Sequence, residues 1–200
     1  MKPRCGWARG EPLLESYHDE EWGVPVLDSI SLWQSLAIIG FQAGLSWITI
    51  LRKRDALRAA FGGLAPRAVA GYGARDLARL MRDPRVIRSR PKLAATMGNA
   101  RAFEKMAAEG EDLASIVWSA VEGMPIMSDG AQVASSPLSE LIASTLKSRG
   151  YKFAGPVIVQ AWLREIGAVN DHEPHCYRRD EVRELAPIGS AALGVIDQPG

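Results

Sequence analysis

A chain of 200 residues, 47% of them hydrophobic, is long enough for one sizeable core, which excludes a disordered chain. Its formal net charge of +1 excludes a uniformly basic nucleic-acid binder, while local basic clusters remain at 52–54, 88–92 and 147–152. No run of about 18 apolar residues predicts a membrane span. The opening MKPRCGWARGEPLLE has no apolar signal region, so a cytoplasmic setting with reduced thiols is expected.

The elements read as helix after helix. Asp28 or Ser29 caps a helix with Leu32, Leu36 and Ile39 at helical spacing. FQAGLSW interrupts it between the breakers Gly40 and Gly44. WITILRKRDALRAAF resumes the helical period. Pro66 opens a short helix and RDLARLMRD forms another, before VIRSRP turns the chain. KLAATMGNARAFEKMAAEG is the longest helical run and stops at Gly110; EDLASIVWSAVEG follows, then a loop over MPIMSDGAQVASS. Ser136 followed by Pro137 starts the next helix, and Gly150 stops it. Pro156 to Gly167 repeats that pattern. No alternating strand is expected, so the fold class is all-α with about eight helices of ordinary length. Residues 177–200 are expected to be a weakly packed tail.

All the soft metal-binding side chains lie at the two ends: Cys5 and His18 at one, and NDHEPHC, with His172, His175 and Cys176, at the other. Cysteine and neutral histidine are preferred zinc ligands, and four of them close a tetrahedral structural site. The spacing is not that of a standard finger. Residue types alone leave two readings, a zinc site using His172 or His175, or two buried thiols with incidental histidines. Twelve residues separate Cys5 from His18, so a loop is expected to join them. A bound ion would tie the first twenty residues to the last thirty.

Trp7, Tyr17, Trp22 and Trp47 surround the first two of these candidates and the interrupting loop. Their rings serve either core packing or a stacking pocket for a flat, cationic ligand. Together, RCGW, YHDEEWGVP, QAGLSWITIL, GNARA, RGYKFAG and VNDHEPHC resemble the DNA-3-methyladenine glycosylase I family, in order, from residue 4 to about residue 176. The resemblance implies a helix–hairpin–helix DNA glycosylase fold in one domain, residues 1–176. Its helical core runs from about 28 to 167, and a structural zinc ion joins the segments 1–27 and 168–176. The implied ligands are Cys5, His18, His172 and Cys176. The implied base pocket contains Trp7, Tyr17, Trp22, Trp47 and the residue at 39. Gly44 and Leu45 match the wedge that fills the gap left by an everted nucleotide. VIRSRPK matches a backbone-gripping hairpin, with phosphate contacts expected from Arg88, Arg90, Lys92 and Lys152. The implied substrate is double-stranded DNA carrying N3-methyladenine, cleaved by a monomeric hydrolase with no obligate protein partner.

One departure matters. The family carries a carboxylate where this chain has Ile39, in IIGFQAGLSW. A carboxylate there accepts a hydrogen bond and offsets the base's positive charge; isoleucine does neither. Losing one charged hydrogen bond costs ~1.5–3 kcal/mol, about 10- to 150-fold. Three outcomes are compatible with this: continued excision, a preference for another alkylated base, or binding without cleavage. Phe41 beside the same turn favours altered preference over simple loss. A zinc-stapled scaffold for a protein partner is the non-enzymatic alternative.

Overall fold

The computed structural model describes residues 2–128, 130–131 and 133–185. Within them the chain is helical, as the sequence predicts. The helices are α1 (Pro12–Glu20), α2 (Ser29–Ile39), α3 (Trp47–Leu51), α4 (Arg54–Ala60), α5 (Pro66–Ala70), α6 (Ala74–Arg82), α7 (Arg90–Ala108), α8 (Leu113–Ser119), α9 (Pro137–Ser148), α10 (Pro156–Glu165) and α11 (Arg178–Glu184). These are more than the expected eight, because WITILRKRDALRAAF breaks at Arg52–Lys53 into two short helices and both ends of the chain are helical too. Among the described residues no helix is long and apolar enough to cross a membrane.

The caps act where the sequence places them. Asp28 accepts a hydrogen bond from Ser31 N at 2.8 Å, and Ser136 Oγ accepts one from Ser139 N at 3.2 Å. Pro137 and Pro156 occupy the first turns of α9 and α10, where a missing N–H costs nothing.

α2 is the centre of the molecule. It packs against α5, α7, α8 and α10 and buries Leu32, Trp33, Leu36, Ala37, Ile38 and Ile39. A helix covered on several sides must be apolar nearly all round, which explains the run SLAII. Trp33 and Trp162 are fully enclosed in this core. Truncating either to alanine would cost ~3–5 kcal/mol.

Two findings differ from the sequence reading at the chain ends. The stretch between Cys5 and His18 is not a plain loop, because α1 starts at Pro12 and carries His18 on its buried face. Nor is the tail loose from residue 177. Tyr177 N donates to Pro3 O at 3.0 Å, Asn170 Nδ2 donates to Arg179 O at 2.8 Å, and Val182 is buried. Residues 186–200 of the expected tail lie outside the described residues. A minimal parallel pair, β1 (Ile126–Met127) with β2 (Val169–Asn170), was also not expected, since two residues show no alternation.

Gly167 ends α10 with φ +76°, and a Cβ there would lie 2.5 Å from Gly23 O and 2.7 Å from Pro25 N. This is where residues 23–26 cross the end of α10, with Gly23 N donating to Glu165 O and Val26 N to Ile166 O. Gly167→Ala is therefore expected to cost ~2 kcal/mol or more in urea unfolding. Gly98→Ala, in the middle of α7 with nothing within 4 Å, should instead gain up to ~1 kcal/mol. Equal effects would contradict the close approach at Gly167.

Candidate functional site

The ends of the chain meet in a buried cluster. β2 delivers the segment that carries His172 and Cys176, and the Arg164–Asp171 ion pair, at 2.7 Å, fastens it to α10. One ligand atom from each of Cys5, His18, His172 and Cys176 lies within 4.8 Å of the others, and all four residues are buried. Cys176 Sγ is 3.3 Å from His18 Nε2 and 3.6 Å from His172 Nδ1; Cys5 Sγ is also 3.6 Å from His172 Nδ1. His175 is half exposed and pairs with Glu173 at 3.2 Å, so of the two candidates the structure places His172 in the cluster.

The donor set suits zinc. Bonds of about 2.3 Å to sulfur and about 2.0–2.1 Å to nitrogen require tetrahedron edges of about 3.3–3.8 Å, matching the three separations above. Burial pushes the Cys5 thiol up to about 12 and holds His172 down at about 3, the latter aided by neighbouring His18. Burial also lowers His18. Both rings are therefore neutral at pH 7 with lone pairs available, whereas Cys5 needs an adjacent cation to ionise. Asp19 Oδ1 lies 2.9 Å from His18 Nδ1 and is itself gripped by Arg4, with contacts of 2.6–2.9 Å. This orients the imidazole so that Nε2 faces the cluster.

A row of aromatic rings leads away from the cluster. Trp22 stands edge-on to His172 at 4.5 Å and to Trp7 at 4.9 Å. Trp7 is 6.4 Å from Tyr17, and Tyr17 is 5.4 Å from Trp47. The structure thus brings the four predicted rings together in one contiguous file. Trp7, Trp22 and Trp47 remain partly exposed and Tyr17 is buried. Ile39 is 2% exposed at the end of α2, and Phe41 is enclosed in the hydrophobic core. Phe41 is therefore a core ring.

Beyond Trp47 the chain forms an exposed point. Gly44 has φ +76°, a left-handed conformation that favours glycine, and Leu45 beside it is 38% exposed. Lys92 differs from its expected role as a phosphate contact. Its ammonium turns inward and donates to Phe41 O at 2.8 Å and Ala43 O at 2.5 Å, so it braces the Leu45 loop from α7. Burial lowers its pKa. Across a shallow cleft of about 620 Å³ lies the turn at 83–89, with Leu45, Thr49, Lys53 and Arg88 among the lining residues. Asp83 holds that turn by accepting from Arg85 N at 2.9 Å. Arg88 lines this cleft and is exposed, and Arg90 is exposed at the start of α7. Asn99 clamps the backbone of Lys152, accepting from its N–H at 2.8 Å and donating to its carbonyl at 2.9 Å. That explains why GNARA and RGYKFAG occur together. It also leaves the Lys152 side chain exposed, next to Phe153, whose carbonyl faces Gly40.

Three acids in the neighbourhood sort themselves by partner. Asp19 serves His18, as above. Glu21 accepts two hydrogen bonds of 2.6 Å from Arg54. Glu165, at the end of α10, was not singled out by the sequence; its Oε2 is buried with no hydrogen-bond partner among the described residues. The signal that could have found it is a charged pair, Arg164 and Glu165, set within the otherwise apolar WLREIGAV.

Comparison with known proteins agrees with this geometry. The methyladenine glycosylase family profile matches residues 7–179. DNA-3-methyladenine glycosylase 1 of Escherichia coli (strain K12) is 41% identical over 177 residues, covering 86% of this chain and 95% of that protein. A crystal structure of 3-methyladenine DNA glycosylase I superposes with a TM-score of 0.85 at 41% identity, covering 88% of this chain and 98% of the other. A structure of the Staphylococcus aureus enzyme, described as the structural basis of 3-methyladenine recognition, gives 0.84 at 33% identity, covering 89% and 97%. With the profile spanning most of the described residues and the folds superposing over nearly their whole length, this chain belongs to the methyladenine glycosylase family.

Proposed function

We propose that this chain is a monofunctional DNA N-glycosylase of base-excision repair, removing N3-methyladenine from double-stranded DNA. The observation that carries the reading is the file of rings from Trp22 to Trp47 opening beside the exposed point at Leu45. An enzyme acting on a base must take it out of the stack, at a cost of a few kcal/mol. Leu45, on its Gly44 hinge and braced by Lys92, is the apolar wedge that keeps the gap open. Arg88, Arg90 and Lys152 supply phosphate contacts around it. We read the turn at 83–89 between α6 and α7 as the hairpin of a helix–hairpin–helix unit. The domain would span residues 1–176, with α11 docked on it.

The chemistry asks little of the protein. N3-methyladenine is cationic within DNA, so its bond to deoxyribose is already weak. Water adds to the sugar carbon, the carbon–nitrogen bond breaks, and the base departs neutral as a proton leaves the water. Aromatic faces favour the cationic base by ~0.5–2 kcal/mol each. Binding selectivity then supplies much of the rate. Lys92 is engaged with two loop carbonyls, which supports hydrolysis over a lysine-linked lyase reaction. An enzyme whose leaving group is this good tolerates Ile39 in place of a carboxylate, and the 33–41% identity to enzymes named for 3-methyladenine supports the same substrate here.

We also propose that Cys5, His18, His172 and Cys176 hold a structural zinc ion. The ion supplies cross-linking alone, since four protein ligands leave no open position. Reduced thiols suit a cytoplasmic protein.

Two outcomes check this. With alkylated duplex DNA, the protein should release free N3-methyladenine and leave abasic sites, and Trp47→Ala should lower kcat/KM by about tenfold to a hundredfold. Release of no methylated base would remove the enzyme reading. Elemental analysis should find one zinc per chain. Cys176→Ser should lose the metal and lower Tm by about 10 °C or more; a metal-free protein of undiminished Tm would refute the zinc site.

A further inference from the structure

The polar atoms beneath the ring file are short of partners. Ser35 Oγ, Trp47 Nε1 and Glu165 Oε2 are all buried, and none makes a well-formed hydrogen bond among the described residues, although Ser35 lies near enough to Glu165, and Tyr17 to Trp47, for a weak one. They belong to one neighbourhood. Ser35 and Glu165 sit beside each other across the α2–α10 contact. Glu165 is the charge that acts most strongly on Tyr17, and the Tyr17 hydroxyl points toward the Trp47 indole. Leaving a buried acceptor short of donors normally costs ~1–3 kcal/mol, and one serine hydroxyl does not fill the accepting capacity of the Glu165 carboxyl, so this is a place where a polar ligand completes the bonding. Ile39 lies one helical turn beyond Ser35, so Glu165 approaches from α10 the region that a side chain at 39 faces from α2.

We propose that Glu165 is the carboxyl group of this chain's base pocket, accepting a hydrogen bond from the amino group of the alkylated adenine and offsetting its positive charge. The inference rests on the glycosylase reading above and gives it the acid that Ile39 does not provide. The other acid near Tyr17, Glu21, is already bound by Arg54, whose guanidinium stands 6.0 Å over the Tyr17 ring. Burial raises Glu165 to about 8. Ser35 and the more distant Arg58 and Arg54 oppose that rise, and Glu21 adds to it. The free protein therefore holds Glu165 mainly protonated at pH 7, and a cationic base favours the ionised form. Selection of the charged base is built in, because a neutral adenine gives Glu165 no reason to lose its proton.

The sign of the pH effect follows. Binding requires the ionised form of a group raised to about 8, so kcat/KM for N3-methyladenine release rises with pH through about 8 in the wild-type protein. The test measures kcat/KM on alkylated duplex DNA from about pH 6.5 to 9 for wild type, Glu165→Gln and the double variant Ile39→Glu/Glu165→Gln. We expect Glu165→Gln to melt no lower than wild type, to lose about 10- to 150-fold in kcat/KM, and to lose the rise near pH 8. The double variant should recover at least about tenfold, because a carboxylate returns from the other wall. Activity of Glu165→Gln within about twofold of wild type, with the pH rise intact, overturns this inference alone. No release by the wild-type chain overturns the glycosylase reading and this inference with it. Should Glu165→Gln not fold, the wild-type profile decides, and a kcat/KM flat between about pH 7 and 9 overturns the assignment.

Discussion

The structure depends on the closure of its two ends around one buried donor set. Cys5 precedes α1, His18 lies on α1, and His172 and Cys176 follow β2, yet their ligand atoms converge to within 4.8 Å. That contact joins residues more than 150 positions apart, and closing so long a loop carries an entropy cost that grows slowly but starts high. Coordination of a single ion by this set, as proposed, would be strong enough to offset it. The same contact positions Trp7 and Trp22, whose rings stand against His172 and His18. The slot and the staple are therefore one piece of architecture.

The two halves of the site are supported differently. The ring file hangs from the cluster at one end, while the Leu45 point is braced at the other by an ammonium from α7. Lys92 shows how a charged side chain near a surface site can act by holding backbone. Its two carbonyl partners fix the loop that Gly44 bends, and in the proposed role of Leu45 as a wedge such fixing would lower the ordering cost of insertion. Asn99 does the same for the Lys152 segment. Backbone bracing is thus a task of its own, held by residues that differ from the exposed cations Arg88, Arg90 and Lys152 of neighbouring motifs.

Much of this was legible in the sequence. Asp28, Ser136, Pro137 and Pro156 announce helix starts through local bonding, which needs no tertiary context. The Cys/His set was visible because those residue types occur only at the ends. The choice of His172 over His175 came from the family resemblance, and the structure puts the His172 ring in the buried cluster and leaves the His175 ring exposed. What stayed hidden depends on packing. α1 carries mixed polarity along PLLESYHDE, and its helicity comes from docking. α11 reads as a charged run, yet Val182 is buried and Arg179 turns inward to the carbonyls of Ser128 and His172. The direction of Lys92 and the burial of Glu165 are set by elements far away in sequence. No spacing rule shows that an acid at the end of α10 faces Ser35 on α2.

The central claim is that the buried Cys/His closure holds the aromatic slot in shape. Free 3-methyladenine, titrated by tryptophan fluorescence against the protein as purified and after metal removal by a chelator, tests it most directly. The account predicts that binding disappears with the metal while circular dichroism still reports a helical core. Equal affinity before and after removal would show that the slot stands without the closure.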